Sequence, residues 1–177
     1  MMNMRTATID KEESKMNRKR NRWLSSKVWG YTAAAVLLPY AVLKTLWAFG
    51  ITLGWSVKGV SELHISMQSG DPVIYFLYKN GIDITTLLAC IASLLGLSLV
   101  QSWGRKIDRR LILLPAWLGG AAFTYFGSAG LNLLRHAEIG DMHLWVCILV
   151  YGGFLLWGVT TLLAAVSFQY RVQLTYV

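Results

Sequence analysis

The run Leu144-Trp145-Val146-Cys147-Ile148-Leu149-Val150-Tyr151-Gly152-Gly153-Phe154-Leu155-Leu156-Trp157-Gly158-Val159-Thr160-Thr161-Leu162-Leu163-Ala164-Ala165-Val166-Ser167-Phe168-Gln169-Tyr170 holds no charged side chain. About 20 apolar residues in a helix cross a hydrocarbon layer roughly 30 Å thick, and this run is longer. Two more uncharged runs, Ile84 to Gly104 and Leu111 to Leu134, are of the same kind, and a fourth, Val28 to Val57, is interrupted only by Lys44. Lipid offers the backbone no hydrogen-bond partner, so such runs are expected as helices. The expectation is an all-α integral membrane four-helix bundle. Its spans fall at about 29–53, 83–103, 111–134 and 144–170, in a membrane domain over 28–177 behind a basic cytoplasmic tail over 1–27.

Composition agrees. Hydrophobic residues make up 55% of the chain and charged residues 15%, against about a quarter charged in an average soluble domain. That leaves no water-soluble domain. Arg18, Lys19, Arg20 and Arg22 look like the n-region of a signal peptide. The apolar stretch behind them is too long for an h-region and no small-x-small site closes it, so it reads as a retained signal-anchor helix. Cys90 and Cys147 form no Cys-x-x-Cys pair and fall at different depths, so buried free thiols are expected rather than thiol-disulfide chemistry.

The net charge of +8 is distributed for membrane orientation rather than for nucleic acid. Arg5, Lys11, Lys15, Arg18, Lys19, Arg20, Arg22 and Lys27 precede the first span, and Arg105, Lys106, Arg109 and Arg110 lie between the second and third. The other two connections are close to balanced, with Lys58, Lys79, Glu62 and Asp71 in one and Arg135, Glu138 and Asp141 in the other. The positive-inside rule then puts both termini in the cytoplasm, in the plasma membrane, with the lipid bilayer as the first partner.

Within the spans, Pro39 is expected to interrupt the first helix, because it cannot donate to the carbonyl one turn back. Gly50 and Gly54 read as a small-xxx-small pair, and Gly127 and Gly130 as a close-packing face of the third span. Between Trp55 and Gly81, the string Asp71-Pro72 to Asn80-Gly81 has the N-cap, first-turn proline and terminal glycine of a short helix. Asp83 is a plausible N-cap for the second span. No repeat relates the halves, so an inverted-repeat transporter is not supported.

Lys44 is the most expensive residue, since a lysine at a membrane helix centre costs roughly 2.5 to 3.5 kcal/mol. It either snorkels to the interface or lines a polar cavity and pairs with Asp83. Tyr125, Ser128, Asn132 and Arg135 share one helix face, either bonding between helices or joining Lys44 and Asp83 in a pocket. His64, His136 and His143 each lie near a carboxylate. They read as interfacial polar residues, with zinc or pH sensing as weaker readings. No histidine lies inside a span for haem, no catalytic or phosphate-binding motif occurs, and no cofactor is expected.

The strings Pro39-Tyr40-Ala41-Val42-Leu43-Lys44-Thr45-Leu46-Trp47-Ala48-Phe49-Gly50, Trp103-Gly104-Arg105, Arg109-Arg110-Leu111 and Leu114-Pro115-Ala116-Trp117 resemble a group of small bacterial multi-pass membrane proteins of actinomycete and bacillus type. That group carries Pro-Tyr-x-x-x-Lys-x-x-Trp in an early helix and a Trp-Gly-Arg cytoplasmic turn. The resemblance covers the first three spans, implies a bacterial plasma-membrane protein and brings no activity with it. The function expected is a non-enzymatic, transport-type or accessory one with an outward-facing polar pocket around Lys44, Asp83 and Asn132. The alternative is an immunity or envelope-stress type protein that contacts a membrane-protein partner or a second copy through its glycine faces.

Overall fold

The computed structural model describes residues 15–16, 26–134 and 141–173. Most of the tail over 1–27, together with Arg135, His136 and Glu138, lies outside the described residues. The architecture is all-helical: α1 (Val28–Val36), α2 (Leu38–Ala48), α3 (Val57–Gln68), α4 (Pro72–Lys79), α5 (Ile84–Ser98), a 3-10 turn (Trp103–Lys106), α6 (Arg109–Leu133) and α7 (Leu144–Gln173). Three helical stretches, Val28–Ala48, Arg109–Leu133 and Leu144–Val172, are long and apolar enough to cross a membrane. The pair α4 and α5, bent by 83°, makes a fourth when taken together.

The first helix breaks at Leu37, with Pro39 in the opening turn of α2, as the missing N–H dictates. It then stops at Ala48, short of the expected residue 53. Gly50 has φ +79°, and the Gly50 and Ile51 amides donate to Trp47 and Leu46 at 2.9 Å each. This is a glycine-terminated helix end. Gly50 and Gly54 (φ +70°) therefore lie beyond the helix and make no small-xxx-small face. A Cβ on Gly50 would meet nothing within 4 Å, whereas one on Gly54 would run into Val146 and Trp145.

The connection expected to hold one short helix holds two. Ser56 caps α3 by accepting from Gly59 N at 2.9 Å, and Asp71 caps α4 through Val73 N and Ile74 N. The second span is shorter than the expected 83–103. Helix α5 has 15 residues, about 22 Å of helix, and the chain then turns tightly at Gly104, where a Cβ would sit against the Ser98 backbone.

Helix α7 packs along α6 and α1, α5 packs on α1 and α2, and α5 meets α6 only thinly. Gly127 and Gly130 lie on the α6–α7 seam, where a Cβ on Gly127 would come within 2.7 Å of Leu155 Cα and one on Gly130 would enter the Tyr151 ring. A second close crossing joins α1 and α5, where a Cβ on Gly96 would lie 2.8 Å from Ala34 N and 3.0 Å from Gly30 O. Small residues permit such approach wherever apolar surface alone gives helices no reason to associate. The outward faces carry exposed Leu38, Val42, Leu87, Ile91, Leu94, Leu114, Leu118, Phe126, Ile148 and Leu156. The two ends differ: Lys27, Arg105, Lys106, Arg109, Arg110 and Arg171 gather at one, the basic end, and α3 and α4 occupy the other, the loop end.

Candidate functional site

Lys44 lies four residues before the end of α2, about 6 Å along the axis. Because α5 is short, its N-cap Asp83 comes down to the same level. Lys44 Nζ and Asp83 Oδ2 are 3.0 Å apart, with side-chain exposures of 12% and 0%. Asp83 Oδ1 accepts from Thr85 N at 2.7 Å and from the Thr85 hydroxyl at 2.5 Å. One carboxylate oxygen thus starts α5 while the other faces the ammonium, and the charge pair is tied to the helix boundary.

The lysine also stands 5.9 Å from the Trp47 ring centre, within cation–π range. Trp47 is itself fixed. It is 3% exposed, its Nε1 donates to Leu53 O at 2.9 Å, its carbonyl is 3.0 Å from His64 Nε2, and its ring meets Trp55 edge-on at 4.8 Å. The segment that carries Trp55 is fastened to the start of α7 by two backbone bonds, Ser56 N to Asp141 O at 3.0 Å and His143 N to Gly54 O at 2.9 Å.

These elements enclose a cleft of about 440 Å³ at the loop end, lined by Tyr40, Lys44, Trp47, Trp55, Asp141 and Tyr151 among others. Tyr40, Lys44 and Trp47 follow i, i+4, i+7 spacing and so form one wall from a single helix face. Asp141 and the two tyrosines supply the other polar groups. Cys147 lies in the opposite wall, buried. Its fellow thiol Cys90 is exposed on the outer surface of α5, where a buried thiol was expected.

Of the remaining sequence candidates, the polar stripe on α6 does not enter the cleft. Tyr125 is 68% exposed, Ser128 and Asn132 are exposed on the same outward face, and the Ser128 hydroxyl donates to Tyr125 O within its own helix at 2.9 Å. The cause is the glycine seam. Gly127 and Gly130 must face α7 to permit the close approach, which turns residues 125, 128 and 132 away from the bundle. His64 is engaged by Trp47 O and by the Tyr78 ring, edge-on at 5.2 Å, and His143 is exposed at the head of α7. Among the described residues no three His, Cys, Asp or Glu side chains come together as a metal site; His136 lies outside them.

The residues that sequence reasoning missed are Tyr40, Trp47, Trp55, Asp141 and Tyr151. The spacing of Tyr40 and Trp47 about Lys44 was a readable signal for two of them. Only the fold brings in Trp55, Asp141 and Tyr151.

No protein-family model matches this chain, and no curated protein and no solved structure matches it either. The resemblance drawn above therefore stands on the quoted strings alone. Three of their residues, Tyr40, Lys44 and Trp47, are those that wall the cleft.

Proposed function

We propose that the chain is a multi-pass protein of the bacterial plasma membrane, with its basic end in the cytoplasm and its cleft opening outward. It holds a small amphipathic molecule beside Lys44, in a transport-type or accessory role without catalysis of its own. The apolar outward faces support the membrane setting, because so much exposed hydrocarbon suits lipid rather than water. The charge asymmetry supports the orientation.

The observation that carries the binding reading is the Lys44–Asp83 pair, sunk below the end of α2, whose lysine lines the aromatic-walled cleft while the aspartate stays outside the lining. An ion pair at that depth is costly unless partnered. The cleft volume falls within the roughly 300 to 1,000 Å³ of small-molecule sites, and its lining of apolar and aromatic surface with a few convergent polar groups is of the same type. The paired charges are close to neutral together, which favours a ligand that packs on Trp55 and Tyr151 and bonds through one or two polar groups.

Thiol accessibility tests it. In intact cells, a small membrane-impermeant methanethiosulfonate should modify Cys147 in a Cys90→Ala background. Leu134→Cys, in a background lacking both native thiols, should report from the other wall. Modification of neither thiol until the cells are permeabilised would remove the outward cleft.

A second reading, a partner protein acting through helix contacts, has its own observation: Tyr125, Ser128 and Asn132 on the outward face of α6. Polar groups facing lipid gain from a neighbouring helix. Asn132→Leu should then weaken self-association or capture of another membrane protein, and leave Cys147 accessibility unchanged.

A further inference from the structure

Building on the cleft as a binding site, we propose that its ligand is a single-chain amphipath with an uncharged polar head, whose hydrocarbon chain lies in a second cavity directly beneath. That cavity, of about 160 Å³, is lined by Leu37, Tyr40, Leu88, Ala89, Phe123 and Phe154 among others. It runs from the surface into the core: Leu88 is 57% exposed, whereas Leu37 is 1% and Ala89 5% exposed. Leu88 stands on α5 and Phe123 on α6, so the mouth lies where those two helices meet only thinly. In a membrane that mouth faces hydrocarbon.

Two helix faces run from the cleft into this cavity without a break. On the first span, Trp47, Lys44 and Tyr40 line the cleft, and Tyr40 and Leu37 line the cavity, at the three- and four-residue spacing of one face. On α7, Cys147 and Tyr151 line the cleft and Phe154, the next turn down, lines the cavity. Tyr40 is the common wall, with its ring edge-on to Phe154 at 5.2 Å. It lies eight residues before the end of α2, about 12 Å below it along the axis. Polarity falls with depth, from Lys44 and Tyr151 above to Leu37 and Phe154 below. The Thr85 hydroxyl, also in the cavity lining, donates to Asp83 Oδ1, so what the lower cavity offers a ligand is hydrocarbon surface.

A dry apolar cavity of this size takes about six carbon atoms, which is a segment of one chain, and the rest of the chain leaves past Leu88 into the bilayer. A chain alone gains nothing here over the surrounding lipid, whose tails are as apolar as the lining. Preference comes from the head. Asp83 already stands 3.0 Å from the Lys44 ammonium, so the pair suits an uncharged head better than a charged one. Hydroxyls both donate and accept, which matches Asp141 and the two tyrosines of the cleft. Tyr40 turning aside joins the two compartments and lets the molecule in from the lipid side.

The test uses the full-length protein in phosphatidylcholine nanodiscs, with a monoacylglycerol that carries a diazirine in mid-chain. A phosphatidylcholine with the same diazirine in one chain reports ordinary surrounding lipid, and peptide mass spectrometry after photolysis locates the adducts. Monoacylglycerol adducts should fall on Leu88, Ala89, Phe123 or Phe154 and disappear when unlabelled monoacylglycerol is added. Phosphatidylcholine adducts should fall on the exposed Ile91, Leu94, Leu114 and Leu118 and persist. Leu88→Trp crowds the mouth from an exposed position, is expected to fold, and should lose the cavity adducts. Leu94→Trp, equally exposed on α5 but outside the lining, should keep them. Cavity adducts from both probes alike, or their survival in Leu88→Trp, would overturn the assignment in favour of bulk lipid. Cys147, in a Cys90→Ala background, separates this failure from that of the cleft. Excess monoacylglycerol should protect it from the impermeant methanethiosulfonate. Reaction at an unchanged rate would leave the cleft standing and overturn this ligand, whereas no reaction even without ligand would overturn both.

Discussion

Breaking the Lys44–Asp83 pair from one side should cost far more than removing it whole. At 3.0 Å, two unit charges attract by about 5 to 6 kcal/mol with an effective dielectric constant of 20. Removing one partner leaves the other's desolvation uncompensated, a loss of about 3 to 5 kcal/mol for buried pairs. Lys44→Met strands a carboxylate whose side chain is wholly buried. Asp83→Asn strands the ammonium but keeps the α5 cap, since asparagine caps as well as aspartate. The double variant Lys44→Met/Asp83→Asn removes both charges and keeps the cap, so most of the loss should return. Reversible unfolding in mixed micelles, read by tryptophan fluorescence, yields the four free energies of the cycle. With single losses of about 3 to 5 kcal/mol and most of the loss returning in the double variant, a coupling of about 4 kcal/mol or more is expected, above the usual range for contacting residues. Coupling within about 0.5 kcal/mol of zero, with Lys44→Met as stable as wild type, would mean that the lysine simply snorkels.

The glycine seams give a paired prediction. Gly127→Ala, whose new methyl meets Leu155, should destabilise by about 1 to 3 kcal/mol. Gly152→Ala, also helical but with nothing within 4 Å, should be neutral or gain up to about 1 kcal/mol; the same unfolding assay ranks them. Gly81 has φ +79° and meets Phe49, so Gly81→Ala should lose about 1 to 2 kcal/mol from backbone strain alone and loosen the step from α4 into α5. In a Cys147→Ala background, Cys90 should resist the impermeant thiol reagent in intact cells and after permeabilisation alike, because it lies exposed on the outer surface of α5, where lipid offers no group to take the thiol proton.

The helices were legible because long apolar runs bounded by charge are of the length and composition that cross a membrane as helix. The caps at Asp71 and Asp83 were legible from residue type and position. The pairing of Lys44 with Asp83 was one of two readings the sequence left open, and the 3.0 Å approach of the two groups selects it over snorkelling. Helix ends were less legible: Gly50 and Gly54 have the spacing of a packing motif, and only the positive φ at each shows that the chain has already left the helix. Helix α3 lies in the same connection as α4 without the first-turn proline that marks α4, although Ser56 caps it and Val60, Leu63 and Met67 recur at helical spacing. The polar stripe of α6 failed for a different reason. Residues 125, 128 and 132 share a face by spacing alone, but which way that face turns depends on where Gly127 and Gly130 must meet α7, a tertiary fact.

Labelling of single cysteines reads whether the chain crosses the membrane four times with its basic end inside. In a Cys90→Ala/Cys147→Ala background, single cysteines at the exposed positions Ser66 on α3 and Lys106 in the 3-10 turn are treated with a membrane-impermeant maleimide in intact cells. Ser66→Cys should be labelled at once and Lys106→Cys only after the membrane is opened. Labelling of Lys106→Cys in intact cells, or of both sites alike, would contradict the account.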